Sequence, residues 1–250
     1  HYVAQQEGLL TLKCPEGAID LTTDKKLNIT VNYLGDSIVN VKIAPIDRKA
    51  WTIPNRFYPK LDMSDRSKSA RAVLVESDPV SIAILGPQYR TLLTVSGLQF
   101  KPYFVSFSVT SRINSSIFGL GYRAGPLRKA YGRYALLSRD AATLPENGNL
   151  YSAHPLYMEL ATDGSAHGLF LRNSSPAEVV YEPGRLEWRV IGGIIDIFVF
   201  TGPTPKDVMR QLGAVIGRPP VPDPTFLGLQ QSRYGYGRVS DLRAVVEAYR

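Results

Sequence analysis

The residues that could do chemistry are few, and their spacing matches no common catalytic pattern. The chain has three histidines, His1, His154 and His167, and no two of them stand at the i, i+4 spacing of a helical metal site. No serine lies in a Gly-x-Ser-x-Gly turn of the kind that exposes a nucleophile. The 22 acidic residues could supply two facing carboxylates, but sequence alone selects no pair. These patterns predict no metal site and no serine nucleophile.

One loop stands out as a candidate binding site. Arg139 and Asp140 lie in a segment from about 123 to 151 that has few β-branched residues and several prolines, asparagines and glycines. Long irregular loops in compact domains are usually functional or disordered. An aromatic stretch, Leu150–Met158, follows and includes His154 before a proline. A surface ion pair of Arg139 with Asp140 and a structural histidine are the alternatives to a ligand contact, and the residues leave them open.

Strands must position this loop. From residue 8 to about 200, short β-branched and aromatic runs recur between turn residues, and no helical period interrupts them. This pattern predicts a large antiparallel β-sandwich. Gly192-Gly193, between two apolar runs, predicts a hairpin. The predicted strands are 10–12, 27–33, 38–43, 73–75, 81–85, 90–95, 98–100, 103–109, 156–160, 168–171, 178–181, 186–191 and 194–200.

A helix and a proline-rich linker follow the last of these strands. Thr204 is a good N-cap before Pro205, and Gly217 is a typical helix end. The predicted apolar stripe of the helix is Val208, Leu212, Val215 and Ile216. Proline fixes φ and lacks a backbone donor, so neither helix nor sheet can continue through residues 218–224. We therefore predict a first domain at 1–217, a linker at 218–224 and a second region at 225–250.

The last region is expected to be a single β-α unit. Phe226–Gly237 predicts a short buried strand that ends in a polar, aromatic loop. Ser240 is the predicted N-cap of an amphipathic helix that continues to the end of the sequence. A parallel sheet needs several such units to bury a strand on both faces. We therefore expect another chain or a further segment to complete this second domain.

Composition and charge narrow the function classes. A hydrophobic content of 44% and a charged content of 20% are typical of a globular protein, and no apolar run is long enough for a membrane span. The 29 basic residues outnumber the 22 acidic ones. The densest basic patch, 65–71, has no interleaved aromatic residues that could stack on bases. Nucleic-acid binding is therefore not predicted.

Three sequons and one cysteine bear on the compartment. Asn28, Asn114 and Asn173 each begin an N-x-S/T sequence, which predicts N-glycosylation, with chance occurrence as the alternative. Cys14 is the only cysteine, so no disulfide can form within this chain. It is either a small buried hydrophobe or, in a secreted protein, the partner of a cysteine elsewhere.

Three stretches of the sequence form one ordered set of motifs. They are Phe118–Gly121 with Arg139-Asp140, then Tyr151–Met158 with Ser165–Ser174, and finally Trp188–Asp196 through Phe200–Pro203 and Ile216–Pro219 to Leu227–Tyr236. Each stretch is modest alone, but their order and spacing are specific and cover roughly residues 115–250. In this order they resemble glycoside hydrolase family 31, the α-glucosidase family. The stretch around His154 is most similar to the secreted α-glucosidase branch.

The resemblance implies an N-terminal β-sandwich packed on a (β/α)8 barrel that begins near Phe226. It implies a retaining, exo-acting α-glucosidase that hydrolyses terminal α-1,4-linked glucose from maltose and malto-oligosaccharides, with transglucosylation as an additional reaction. It implies no cofactor. Both catalytic aspartates would lie later in the barrel, so no catalytic residue is expected in this chain. The implied partners are a C-terminal catalytic chain or segment and the α-glucoside substrate.

The resemblance also implies two substrate contacts. Asp140 matches an aspartate that a loop of the sandwich domain extends over the active site, where a carboxylate can accept sugar hydroxyl hydrogen bonds. Tyr234 matches an aromatic residue at the C-terminal end of the first barrel strand, where barrel active sites lie. Arg233 and Tyr236 are expected to support that loop or to pack against the sandwich domain. His154 is expected to be structural. The alternative from another class is a stand-alone, non-catalytic carbohydrate-binding β-sandwich.

Overall fold

The computed structural model describes the backbone of residues 2–6, 9–13 and 19–22, and then residues 27–46, 49–59, 61, 73–77, 79–86, 90–140, 143, 146 and 148–250. Side chains are described from residue 27 onward, except those of 74, 76 and 77. The predictions that concern His1, Cys14 and the basic patch 65–71 lie outside the described residues. Contacts within the chain divide it into two units, residues 1–217 and 218–250.

The first unit contains two antiparallel sheets. Their strands are β1 (Tyr2–Gln6), β2 (Leu9–Lys13), β3 (Ile19–Thr22), β4 (Leu27–Leu34), β5 (Ile38–Pro45), β6 (Val73–Ser77), β7 (Val80–Leu85), β8 (Thr91–Lys101), β9 (Phe104–Thr110), β10 (Ser116–Gly119), β11 (Arg128–Lys129), β12 (Gly132–Leu136), β13 (Leu156–Leu160), β14 (Ala166–Leu171), β15 (Ala177–Glu182), β16 (Arg185–Val190) and β17 (Ile195–Phe200). One sheet has the order β1-β2-β6-β7-β8-β9-β16-β15-β12, and the other has the order β11-β10-β13-β14-β17-β5-β4-β3.

The core lies between these two sheets. In β4, Ile29, Val31 and Tyr33 are buried at every second position, as a strand with one face on a core requires. In β16 of the other sheet, Leu186 and Trp188 follow the same period and belong to the same apolar cluster. Each sheet covers one face of the other, so the fold is the predicted antiparallel β-sandwich.

The strand predictions from 27 to 109 and from 156 to 200 are confirmed in position, with ends that shift by a few residues. The sequence pattern did not predict β1, β3 and β10. It also missed β11 and β12, which lie inside the segment that was predicted to be irregular. Strand β12 has the sequence Gly-Arg-Tyr-Ala-Leu, which is poor in β-branched residues, and it pairs with β15 at the edge of its sheet. Pairing with β15 therefore outweighs the weak intrinsic preference of this sequence for a strand.

The hairpin prediction at Gly192-Gly193 is wrong. Strand β16 pairs with β15 and β9, whereas β17 pairs with β14 and β5 in the other sheet. The two glycines therefore carry the chain from one sheet to the other. Gly193 has φ +78°, and a Cβ built there would lie 2.6 Å from the Asn173 side-chain nitrogen. A tight crossover and a two-residue hairpin have the same need for glycine, so the dipeptide does not distinguish them.

Helix α1 (Pro205–Ile216) covers part of the outer face of the second sheet. The Thr204 hydroxyl accepts a hydrogen bond from the Asp207 backbone nitrogen at 3.2 Å, and Pro205 is the first helical residue, as predicted. Three of the four predicted stripe residues, Val208, Leu212 and Val215, are buried in an apolar cluster that includes Phe198 and Phe200 of β17. Ile216 is instead exposed.

The second unit, residues 218–250, differs from the prediction at its first element. The chain forms a 3₁₀ helix at Pro224–Leu227, and residues 228–237 contain no strand. A strand needs a neighbour for its backbone groups, and this unit supplies none. Helix α2 (Val239–Ala248) is confirmed, but its N-cap is Arg238 and not Ser240, because the Asp241 carboxylate accepts from the Arg238 backbone nitrogen at 3.1 Å. No helix among the described residues is long and apolar enough to cross a membrane.

Candidate functional site

The Asp140 loop, defined as residues 137–150, follows β12, and its two ends lie beside a turn with unusual backbone geometry. Gly119, Leu120 and Gly121 have φ values of +100°, +57° and +104°. Their position is held by the Leu120 and Gly121 backbone nitrogens, which donate to the carbonyls of Leu156 and His154 at 2.8 and 3.1 Å. A Cβ at Gly119 would lie 2.5 Å from the Leu156 carbonyl oxygen. The Gly-Leu-Gly motif therefore lets this turn lie directly on the strand that carries the aromatic stretch.

Asn149 holds the two ends of the loop together. Its side chain is buried at 7% exposure, and its amide nitrogen donates to the carbonyls of Leu137 and Leu150, at 2.8 Å in the second case. Its amide oxygen accepts from the Leu137 backbone nitrogen at 3.4 Å. The Leu150 backbone nitrogen in turn donates to the Tyr122 carbonyl at 2.8 Å. One buried side chain thus satisfies backbone groups on both sides of the loop.

Arg123 adds a second connection at the loop base. Its guanidinium donates to the Leu120 carbonyl at 3.1 Å and to the Ala135 carbonyl at 2.5 Å, and it lies over the Tyr134 ring at 5.1 Å from the centroid. Partial burial lowers the pKa of Arg123 from its usual range, while Tyr134 opposes this change. The cation therefore ties β12 to the glycine turn.

Asp140 itself is exposed. The residues just before it are fixed: the Arg139 backbone nitrogen donates to the Tyr151 carbonyl at 3.1 Å, and the Ser138 hydroxyl accepts from the Ala153 backbone nitrogen at 3.3 Å. Among the described residues no salt bridge joins Arg139 to Asp140. The Asp140 carboxylate is therefore exposed to solvent next to residues that are fixed by hydrogen bonds. An ion pair of Arg139 with Asp140, the alternative to a ligand contact, is not supported.

A cavity of about 410 Å³ opens at the base of the same loop. Its lining includes Ser138, Ala153, Tyr58, Phe170 and the Asn173–Ala177 segment, together with aliphatic side chains such as Leu137. Its lining combines aromatic surface with hydroxyl and amide groups, which is the mixture that sugars require. The cavity places further polar and aromatic groups of the first unit near the start of the Asp140 loop.

The two described histidines, His154 and His167, lie in different environments. His154 is exposed, and its ring centroid lies 6.1 Å from that of Tyr122. His167 is buried opposite Glu159, with 3.7 Å between the imidazole Nε2 and a carboxylate oxygen. Burial lowers the pKa of His167 to about 3, with the Arg112 cation as a smaller cause, and burial raises the pKa of Glu159. Among the described residues, no group of three or more potential ligands could hold a metal ion.

A buried polar network that the sequence did not predict lies on the face of the second sheet away from the core between the sheets. The Asp196 carboxylate accepts from the Arg172 Nε and Nη2 atoms at 2.8 and 2.7 Å and from the Asn40 amide at 2.8 Å. The guanidinium of Arg172 lies between the rings of Tyr58 and Phe198, 5.2 and 5.0 Å from their centroids. The available signal was Asp196 itself, a charged residue in a strand that is otherwise wholly apolar.

The second unit carries the other expected contacts. The Tyr234 side chain is fully exposed, and Arg233 is also exposed in the same loop. Gln231 donates to the Tyr236 hydroxyl at 3.1 Å and accepts from the Tyr249 hydroxyl at 3.0 Å, so it links the loop to α2. Tyr236 is therefore linked to α2 through Gln231. Asp140 belongs to the other unit.

The three sequons lie in different environments. Asn28 and Asn114 are exposed. Asn173 is buried at 8% exposure, and its amide nitrogen donates to the carbonyls of Gly192 and Ile194 at 2.9 and 3.1 Å. This geometry counts against the glycosylation expected at Asn173, because the nitrogen that would carry the sugar is already used inside the fold.

Comparison with known families identifies the first unit. Residues 23–179, more than half of the chain, match the family model described as the glycosyl hydrolase 31 N-terminal galactose mutarotase-like domain. The chain belongs to this family. The matched region of the family 31 domain includes the glycine turn, the Asp140 loop and the aromatic stretch, so the structural features described above lie within it.

Relatives of this family 31 domain are longer proteins. The lysosomal alpha-glucosidase of Rattus norvegicus is 41% identical over 228 residues, which cover 88% of this chain and 23% of that protein. A probable alpha/beta-glucosidase of Aspergillus fumigatus is 31% identical over 235 residues, which cover 90% of this chain and 27% of that protein. The chain thus spans about a quarter of the length of these curated relatives.

Solved structures show the same fold. A GH31 dextranase from Flavobacterium johnsoniae, complexed with glucose, matches with a TM-score of 0.74 at 15% identity, over 100% of this chain and 32% of that one. A xylosidase from Aspergillus niger matches with a TM-score of 0.69 at 12% identity, over 93% of this chain and 37% of that one.

Proposed function

We propose that this chain is the N-terminal part of a retaining, exo-acting α-glucosidase. The enzyme removes terminal α-1,4-linked glucose from maltose and malto-oligosaccharides, with transglucosylation as an additional reaction. Membership of family 31 and the similarity to a lysosomal alpha-glucosidase support this substrate class. The single observation that carries it is the Asp140 loop, which is fixed at its base by Asn149 and Arg123 and carries the exposed Asp140.

In this proposal the chain shapes the active site but does not perform bond cleavage. Asp140 accepts hydrogen bonds from two hydroxyl groups of one sugar ring, which fixes the orientation of that ring. Tyr234 covers the apolar face of a glucose ring, with Arg233 and Tyr236 as support for its loop. Residues 1–217 are the sandwich domain, 218–224 the linker and 225–250 the start of the catalytic barrel. A C-terminal segment or chain supplies the aspartate nucleophile and the aspartate acid/base.

The proposed location is extracellular or in the lumen of the secretory pathway. The sequons Asn28 and Asn114 support it, because both asparagines are exposed on the folded domain. The name of the rat relative is consistent with the lumenal alternative. No cofactor is part of the proposed reaction, which needs only two carboxyl groups and water.

The test is the stereochemistry of the reaction of the full-length enzyme. Proton NMR of maltose hydrolysis distinguishes α-glucose from β-glucose in the first minutes, before the anomers equilibrate. We expect α-glucose to appear first from the non-reducing end, and we expect the 250-residue chain alone to release no glucose. The reducing-end glucose enters as the anomeric mixture already present in maltose, so the new glucose is read as the excess over that mixture. An excess of β-glucose, or hydrolysis by the isolated chain, contradicts the proposal. Maltose binding by the isolated chain without hydrolysis by the full-length enzyme favours the stand-alone binding module.

A further inference from the structure

A second groove on the first unit lies between the β9–β10 connection and the segment that joins β11 to β12. Its volume is about 520 Å³. Ile113, Asn114 and Ser115 form one wall, and Lys129 to Tyr131 form the other. Neither Asp140 nor Tyr234 is among the described residues that line it, so the proposed α-glucosidase reaction does not use this groove.

Tyr131 provides a rigid aromatic surface in this groove. Its side chain is 53% exposed, and its ring lies against that of the buried Tyr181, with centroids 4.8 Å apart and planes inclined by 55°. The preceding residue is also held, because the Tyr134 hydroxyl donates to the Ala130 carbonyl at 2.6 Å. A tyrosine that is supported from below and half-exposed above can pack against the C–H face of a sugar at little entropic cost.

The polar groups around Tyr131 suit the hydroxyl and amide groups of a sugar. The Lys129 ammonium is held near the groove by its hydrogen bond to the Pro126 carbonyl at 2.8 Å and has further protons to donate. Arg128 is exposed beside it. Donors arranged around an aromatic surface are the chemistry that recognises carbohydrate.

The third feature is the sequon on the facing wall. Asn114 is exposed and is followed by Ser115 and Ser116. The turn that presents it is fixed, because the Ser115 hydroxyl and backbone nitrogen both donate to the Arg112 carbonyl, at 2.7 and 3.2 Å. An N-linked sugar at Asn114 therefore begins in the wall of a groove whose opposite wall is an aromatic ring.

We propose that Asn114 carries an N-linked glycan and that the first sugars of this glycan lie in the groove against Tyr131. The inference rests on the proposed secretory location of the enzyme. A tethered sugar has a high effective concentration at the groove, so a shallow site suffices to hold it. A free oligosaccharide has no such advantage in a groove that is widely open to solvent. The glycan thus becomes an ordered part of the sandwich surface.

The experiment uses the full-length enzyme expressed in a eukaryotic secretory host. Peptide mass spectrometry measures the glycan occupancy of Asn114, and hydroxyl-radical footprinting measures the labelling rate of Tyr131. We expect Asn114 to be occupied, and we expect Asn114→Gln to raise Tyr131 labelling several-fold. Asn28→Gln is the matched control and should leave Tyr131 labelling unchanged. Tyr103, which is 85% exposed, reports the labelling efficiency of each sample.

Two results overturn the inference: an unoccupied Asn114, or equal Tyr131 labelling with and without the glycan. Adding chitobiose or maltotriose to the Asn114→Gln variant tests the free-sugar source. Protection of Tyr131 by a free sugar, in the absence of any protection by the attached glycan, also overturns it. Maltose hydrolysis is assayed on the same samples and should be unchanged in Asn114→Gln. Equal Tyr131 labelling would therefore overturn the glycan inference and leave the α-glucosidase proposal standing. A lack of maltose hydrolysis would overturn that proposal without changing the labelling result.

Discussion

The two units of the chain place their proposed substrate contacts in opposite ways. In the first unit, Asp140 projects from a loop whose base is tied by buried Asn149 and by Arg123 to a turn on the sandwich. In the second unit, Tyr234 is fully exposed, and its loop is linked to α2 through the exposed Gln231. The first position is determined by hydrogen bonds within the unit, whereas the second has little local support.

The same contrast extends to the surroundings of each loop. The sandwich buries a continuous apolar cluster that spans both sheets. Within residues 218–250, which are all described, no residue is buried, and Phe226, Leu229 and Tyr249 are 71%, 79% and 61% exposed. Exposed apolar groups of this kind mark a surface that another structure covers. The contrast teaches that Asp140 is pre-positioned by its own domain, while the position of Tyr234 depends on the rest of the proposed barrel.

The largest effect is expected for Asp196→Ala, which tests whether the sandwich is self-supporting. The change leaves the mostly buried Arg172 guanidinium and the Asn40 amide without their shared carboxylate. Breaking one side of a buried ion pair typically destabilises by about 3–5 kcal/mol. Hydrogen exchange of peptides that cover β17, in the full-length enzyme, measures the loss. Asp163→Ala, which breaks an exposed pair with Arg90, is the control and should leave exchange of β17 unchanged.

Gly119→Ala tests whether the glycine turn positions the Asp140 loop. The alanine would need φ near +100° and would bring its Cβ to 2.5 Å from the Leu156 carbonyl. We expect a loss of stability of about 1–3 kcal/mol and faster hydrogen exchange of residues 137–153. Gly164→Ala is the matched control, because Gly164 has φ +80° but nothing within 4 Å of its Cβ position. If the two variants lose equal stability, the close contact with Leu156 has no role.

The pH dependence of sandwich stability tests the buried Glu159–His167 pair. Because burial raises the pKa of Glu159 above 4.5, its contribution is complete below about pH 4.5 and is lost as the pH rises through the raised pKa. Because burial lowers the pKa of His167 from 6.5 to about 3, its contribution is complete above pH 6.5 and is lost as the pH falls towards 3. Since these two slopes oppose each other above pH 4.5, we expect a stability plateau that ends at the raised pKa of Glu159 or at pH 6.5, whichever is lower.

Hydrogen exchange of β13 and β14 at several pH values, corrected for the intrinsic exchange rate, measures this plateau. Glu159→Gln should remove the loss of stability on the alkaline side and keep the loss on the acidic side. His154→Gln, at an exposed histidine, is the control. Identical pH profiles for Glu159→Gln and the unaltered protein would contradict the assignment.

The smallest effect is expected for Gln231→Ala in the second unit. The change removes hydrogen bonds to Tyr236 and Tyr249 that are all exposed to solvent. Surface substitutions of this kind usually stay within about 0.5 kcal/mol. Hydrogen exchange of α2 in the full-length enzyme should therefore be nearly unchanged. A large increase would show that the Tyr234 loop holds its own position, which would remove the difference between the units.

The sequence predicted the sandwich because residues buried at every second position, such as Ile29 and Val31, leave a period that a single strand reveals. It predicted α1 because the cap at Thr204 and the proline after it are local signals. It failed where the outcome depends on distant partners. Gly192-Gly193 permits a hairpin and a crossover equally. The segment that forms β12 has a weak preference for strand, and it becomes a strand because it pairs with β15. The predicted strand at Phe226 has no neighbour within its unit.

In the candidate site, too, local motifs are predictable from the sequence, whereas contacts between distant residues are not. Asp140 and the Gly-Leu-Gly turn were found as motifs, but the role of Asn149 could not be predicted, because its partners lie on both sides of a long loop. The hydrogen bonds that bury Asn173 are likewise made to a distant crossover, so its sequon resembles the two exposed ones. The Arg172–Asp196 pair joins Arg172, just after β14, to Asp196 of β17, 24 residues further along the chain, and only the isolated charge in β17 signalled it.

The most direct test of the account is the kinetics of Asp140→Ala in the full-length enzyme on maltose and on longer maltodextrins. Glu146→Ala, at an exposed acidic residue of the same loop, is the matched control. If Asp140 binds the sugar as proposed, kcat/KM should fall by about tenfold to a hundredfold for Asp140→Ala, mainly through a higher KM. It should be unchanged for Glu146→Ala. Unchanged kcat/KM for Asp140→Ala on both substrates would contradict the central claim that this loop forms part of the active site.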